Sequence, residues 1–163
     1  MKKIFLFVAA LTLSLTSCSS DDNSGGNGGG GNSELKVTID GAQKTFNTIV
    51  VNENIETYDG ETWTELIVTA TINNNPSEVF IFNLDLGDVG ADAIWYFTYK
   101  KDGEEYISWN QWANISSVVQ TNNNKKIKGT FTGKLAYNYW DDNSQQEVVK
   151  EVNLTNGSFD ISY

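Results

Sequence analysis

Thr130-Phe131-Thr132-Gly133-Lys134-Leu135-Ala136-Tyr137-Asn138-Tyr139 carries the clearest structural signal in the chain. Phe131, Gly133, Leu135, Tyr137 and Tyr139 make one nearly apolar face, while Thr130, Thr132, Lys134, Ala136 and Asn138 make a mostly polar one. A period of two marks a β-strand with one face buried. Asp141-Asp142-Asn143 ends it, and Val148, Val152 and Leu154 return along the same side. Asn156-Gly157 reads as a further turn, with Gly157 supplying positive φ, before Phe159, Ile161 and Tyr163 finish in strict alternation.

The same alternation extends toward the N-terminus. Leu35, Val37 and Ile39 point one way, and Asp40-Gly41 follows as a hairpin turn. A run from Thr45 to Val51 comes next, then Asp59-Gly60, then Trp63 to Ile72. Asn73-Asn74-Asn75-Pro76, with the chain's only proline, reads as a loop. Strands are expected at 79–86, 93–100, 104–109 and 115–121, with Asp102-Gly103 turning between the second and third and Asn122-Asn123-Asn124 ending the last. Only Ser108 to Val118 has a helical spacing, with Trp109, Trp112 and Ile115 three apart, enough for one short turn. Residues 34–163 are therefore expected to form one all-β domain. It would be an antiparallel β-sandwich or flattened β-barrel of about nine or ten mostly hairpin-connected strands. Its 130 residues are enough to fold without disulfides or metal. Lys125-Lys126-Ile127-Lys128 fits a solvated sheet edge, where lysine discourages foreign pairing.

What precedes the domain is an address. Met1-Lys2-Lys3 and the apolar run Ile4 to Leu15 have the layout of a secretory signal, and the run is too short to span a bilayer. Leu15-Thr16-Ser17-Cys18 closes it with the only cysteine. This resembles the lipobox of bacterial lipoproteins, which implies cleavage after residue 17 and lipid chains on Cys18. More than one chain gives stable anchoring. Ser19-Ser20-Asp21-Asp22 follows, and acids directly behind the cysteine resemble the surface-export signal of Bacteroidetes-type lipoproteins. That implies an outer-membrane lipoprotein facing the cell exterior; the periplasmic face is the alternative. Residues 24–33 hold six glycines in ten positions, so 18–33 is the lipidated cysteine with a Gly/Ser/Asn-rich tether. Lys128-Gly129-Thr130-Phe131 and Thr155-Asn156-Gly157-Ser158-Phe159-Asp160 further resemble Bacteroidetes surface lipoproteins with a small uncharacterised all-β domain. The resemblance supports location and fold and carries over no ligand residues.

Composition narrows the chemistry. The 163 residues include 11 lysines, no arginine, no histidine, 21 acids and a net charge of −10. Loss of Lys2 and Lys3 with the signal leaves nine lysines and −12. Without histidine no Ser-His-Asp or Cys-His nucleophile can be built, and one cysteine gives no disulfide or CxxC pair. Phosphate backbones have little to bind, so nucleic acid is not an expected partner. No glycosidase pair of carboxylates stands out; adjacent candidates such as Glu104-Glu105 would point to opposite faces of a strand. The chain reads as a non-enzyme without a cofactor.

Two recognition sites suggest themselves. Asp85, Asp88 and Asp92, bent by Gly87 and Gly90, could offer carboxylates to calcium; an acidic inter-strand loop explains them equally, since the spacing departs from the twelve-residue calcium loop. Trp109, Asn110, Gln111, Trp112 and Trp140 would suit a glycan, whose rings stack on flat aromatics while amides bond its hydroxyls. The competing expectation is that these tryptophans fill the core. Trp95, Phe97 and Tyr99 share a face and are expected inside, with Tyr96 outside. The functional expectation is an extracellular ligand, either a glycan or an envelope protein. The alternative is a structural or accessory subunit of an outer-membrane complex. A binder needs a concave patch bearing exposed aromatics; an accessory subunit needs a broad apolar face or a free sheet edge.

Overall fold

A computed structural model describes residues 33–163. The signal peptide 1–17, the lipidation and export residues Leu15, Thr16, Ser17, Cys18, Ser20, Asp21 and Asp22, and the tether up to residue 32 lie outside the described residues. Within them the chain is all β, with eleven strands and no helix. These are β1 (Glu34–Ile39), β2 (Ala42–Phe46), β3 (Thr48–Tyr58), β4 (Glu61–Ile72), β5 (Asn75–Asp85), β6 (Gly90–Ala91), β7 (Ile94–Lys101), β8 (Glu104–Ile107), β9 (Asn114–Asn123), β10 (Lys126–Asp141) and β11 (Gln146–Ser162). All pair antiparallel in one sheet that does not close into a barrel.

The order β2-β1-β11-β10-β8-β7-β5-β4-β3 shows how the sheet folds over. β10 is long enough to serve two neighbours: its first half pairs with β9, and Ala136 in its second half meets Ile107 of β8. One half of the molecule is thus β6, β9, β10, β11, β1 and β2; the other is β8, β7, β5, β4 and β3. Inward alternation from each half fills the space between them with aromatic rings. Phe80 and Phe82 of β5 and Phe97 of β7 meet Phe131 of β10 and Phe159 of β11, with centroids 5.2 Å apart for Phe80–Phe131 and 4.9 Å for Phe82–Phe159.

The paired motifs Gly129-Thr130-Phe131 and Gly157-Ser158-Phe159 now acquire a physical reason. Gly129 lies opposite Phe159 and Phe131 opposite Gly157, so each ring covers the glycine across from it. A Cβ on Gly157 would come within 2.6 Å of the Phe131 ring, and one on Gly129 within 2.4 Å of the Phe159 ring. Glycine is needed there for space. Asn156-Gly157 is accordingly no hairpin turn. Both residues lie inside β11, at a register shift where Asn156 alone takes a left-handed φ of 53°.

The three Asp-Gly pairs do turn hairpins, with positive φ at both residues of Asp40-Gly41, Asp59-Gly60 and Asp102-Gly103. Asn73-Asn74 makes the same kind of turn, so Asn75 and Pro76 already belong to β5. The run 45–51 is two strands. Asn47 breaks it, donating its backbone N–H to the Thr71 carbonyl and its amide to Asn73, and the chain crosses there from one half of the sheet to the other. Ser108–Ala113 is a turn region and not a helix, because the Asn110 side chain accepts the Trp112 N–H and the Asn110 carbonyl the Ala113 N–H. The basic run does not mark an edge either. β10 is interior to the sheet, Lys126 and Lys128 face Asp160, and Lys125 turns out to pair with Glu53.

A candidate ligand-binding face

The outer surface of the five-stranded half can be read from its register, since directly paired residues share a face. Glu56 pairs with Trp63, Glu65 with Asp85, Asn83 with Tyr96, and Ile107 with Ala136. Alternation carries the same face along β10 to Asn138 and Trp140, which lies opposite Glu147. Trp95 joins it through an irregularity. Leu84 pairs with Ile94 and Asn83 with Tyr96, so Trp95 is the extra residue of a bulge. It therefore turns outward beside Tyr96 and does not enter the core with Phe97 and Tyr99.

Four of the five tryptophans stand on this face, with exposures of 70% for Trp109, 60% for Trp140, 40% for Trp95 and 39% for Trp63. Trp109 stacks on Trp95 with centroids 5.7 Å apart and planes 29° apart, and meets Tyr96 edge-on at 5.0 Å. Its indole N–H donates to the Trp95 carbonyl at 3.0 Å. The most exposed of these tryptophans is thus held by two aromatic contacts and a hydrogen bond. An aromatic fixed in this way loses little freedom on binding.

Polar groups run beside the rings. Asn110 donates its amide to Asn138 Oδ1 at 2.8 Å, and Asn138 donates its own to Glu147 Oε1 at 2.7 Å. This chain ties the 108–113 turn to the strand that carries Trp140. On the other side, Asn83 donates to Glu65 Oε1 at 2.7 Å. Burial pushes the Asp85 carboxyl above its ordinary range, and the charges of Asp88 and Glu65 push it the same way; a hydrogen bond from Trp95 opposes them.

The expected glycan set is therefore partly assembled. Trp109, Asn110 and Trp140 share the face; Gln111 lies exposed in the same turn. Trp112 does not belong: it is half-buried and lines a groove of the opposite half with Asn114, Lys134 and Asn153. Tyr96, Asn138 and Glu147 join the site as well: alternation puts Tyr96 and Asn138 outside without marking them as ligand groups, whereas it places Trp95 in the core. The bulge hides Trp95 from a period-of-two reading, although adjacent Trp95-Tyr96 is itself a place where one of two large rings must leave the core. The three aspartates are not gathered into a metal site. Among the described residues no group of three or more Asp, Glu, His or Cys side chains is placed to hold a metal ion. The Asp85–Asp88 loop is held by the buried Asn122, which donates to the carbonyls of Asp85 and Asp88, while the Asp92 N–H bonds Ser117 of β9.

A recess of ≈ 410 Å³ opens at another part of the molecule, lined by Lys44, Tyr99, Lys101, Glu104 and Tyr106 among others, with none of the tryptophans. Its tyrosine hydroxyls and Glu104 are already partnered. Tyr99 donates to Glu78, which Lys44 also holds, and Tyr106 donates to Glu104, which pairs with Lys150. Burial and these carboxylates push both tyrosine hydroxyls well above their ordinary range. Burial raises Glu78 too, but the bonds from Tyr99 and Lys44 and the charges of Lys44 and Lys101 outweigh it, leaving the carboxyl below its usual 4.5. A depressed carboxylate stabilises the fold above its unfolded pKa and ceases to do so as pH falls through the folded one. Glu78→Gln should therefore lower the melting temperature at pH 7, with the gap to the native chain narrowing as pH falls below 4.5, as thermal unfolding across that range would show. No family model, curated protein or solved structure matches this chain, so the reading of the site rests on its own chemistry.

Proposed function

We propose that this chain is a lipid-anchored outer-membrane lipoprotein, exposed on the cell exterior, whose β-domain binds glycan chains on the tryptophan face. The observation that carries the reading is the outward Trp95–Trp109 stack, fixed by its own hydrogen bond and bordered by the Asn110–Asn138–Glu147 chain. Apolar sugar faces stack on such rings, while hydroxyls exchange hydrogen bonds with amides and carboxylates. No reacting pair is needed for this role, and the domain acts as a binder and not as an enzyme. Cys18 supplies the membrane attachment, and residues 19–33 the reach.

The test is affinity electrophoresis of the purified domain in gels containing a panel of neutral and acidic polysaccharides. Retention in at least one gel is expected, and Trp109→Ala should weaken it about tenfold, or about 1.4 kcal/mol. Because Trp109 is mostly exposed, its melting temperature should barely move. Retention by none of the panel would remove the glycan reading. Protease shaving of intact cells tests the location: loss of the domain is expected, and full protection would place it in the periplasm.

A further inference from the structure

β3 ends the sheet, and among the described residues its strand neighbour is β4 alone. It pairs with β4 from Thr48 to Tyr58 with no register shift, so its other edge offers a straight row of backbone donors and acceptors. Proteins blunt such edges with short strands, bulges, proline or lysine. β3 has none of these: it is 11 residues long, unbroken, and contains neither Pro nor Lys. Ile55 and Tyr58 stand exposed on its two faces, along with Val50. What it does carry is negative charge. The hairpin of residues 48–72 holds Glu53, Glu56, Asp59, Glu61 and Glu65 and no lysine. The cation that reaches it is Lys125, from the β9–β10 turn, paired with Glu53.

We propose that the free edge of β3 docks an extended, lysine- or arginine-bearing segment of another protein, which adds as a further strand. Strand addition draws affinity from main-chain hydrogen bonds and selectivity from alternate side chains. Here the edge favours cations: Glu53 on one face already takes a lysine, Lys125, and Glu56 on the other face is met by the neutral Asn54 amide. Charge disfavours the other occupants. A second copy would set each β3 acid row against its like, in a chain of net charge −10. The tether brings Asp21 and Asp22 and no cation. The acids thus guard the edge against self-pairing while leaving it open to a basic strand.

The experiment titrates the purified full-length chain into a fluorescein-labelled nine-residue peptide of alternating lysine and valine, read by anisotropy. Two controls are a glutamate–valine peptide and the lysine–valine peptide with every backbone amide N-methylated. The lysine peptide should bind, with affinity falling as salt rises. Each control should bind about tenfold more weakly or worse, one for want of charge and the other for want of a ladder. Equal binding by the N-methylated peptide would reduce the effect to bulk charge and overturn the proposal, as would no binding of the lysine peptide. Asn54→Pro and Ile55→Pro add a second arm. Successive N–H groups of a strand point to opposite edges, so one of these variants spares the β4 ladder and stays folded. That folded variant should lose the peptide; if it binds unchanged, the edge is not the site.

Discussion

Phe80→Ala is expected to destabilise the domain by about 4 kcal/mol, the cost of emptying an aromatic site in a core that cannot fully collapse. Phe80 is fully buried, and four rings surround it: Phe131 at 5.2 Å, Phe46 at 5.9 Å, Tyr99 at 6.2 Å and Phe97 at 6.3 Å. These come from both halves of the folded sheet, so the cavity would open where the halves hold each other. Domains have only about 5–15 kcal/mol in total, and the variant should be near the threshold of folding. Urea unfolding followed by circular dichroism would show the midpoint fall, whereas Val50→Ala on the exposed outer face should shift it by less than about 0.5 kcal/mol. A Phe80→Ala midpoint equal to the native one would mean the halves are not joined through this cluster.

Gly129→Val and Gly157→Val should each cost about 3 kcal/mol, the upper end of what overpacking does. At Gly129 the new side chain meets the Phe159 ring at 2.4 Å and the Val118 carbonyl at 2.5 Å; at Gly157 it meets the Phe131 ring and carbonyl, both at 2.6 Å. Neither ring has room to move, because Phe131 and Phe159 already pack on Phe80, Phe82 and Phe97. The same substitution at Gly41, whose Cβ position is open, tests a different thing: left-handed backbone strain without collision. Comparing the three by urea midpoint separates a need for space from a need for positive φ. If Gly129→Val and Gly157→Val were as stable as the native chain, the reciprocal glycine–phenylalanine pairing would not be what fixes the β10–β11 register.

The strands and three of the hairpin turns were legible because their cause is local. Asp40-Gly41, Asp59-Gly60 and Asp102-Gly103 need only their own backbone to turn, and Phe131 and Leu135 face the core while Thr132 faces water, although Ala136 on that second side is buried where β10 meets β8. The misreadings share a different cause. Asn156-Gly157 has the chemistry of a turn, yet a partner strand on each side keeps it in β11 as a bulge. Asn47 ends a strand through Thr71 and Asn73, which are distant in sequence. Trp95 leaves the core through a bulge that only pairing with β5 reveals. The candidate site was legible in type but not in membership. Trp109, Asn110 and Trp140 have the right chemistry and are brought to one face, whereas Trp112, three residues after Trp109, leaves for the other half of the sheet.

That last pair gives the most direct measurement of the central claim. Trp109→Ala and Trp112→Ala, checked for native circular dichroism, would be run in the gel whose polysaccharide retains the native domain. The tryptophan face as binding site predicts that Trp109→Ala loses retention about tenfold while Trp112→Ala keeps it. Loss in Trp112→Ala with retention intact in Trp109→Ala would contradict it and move the site to the other half of the sheet.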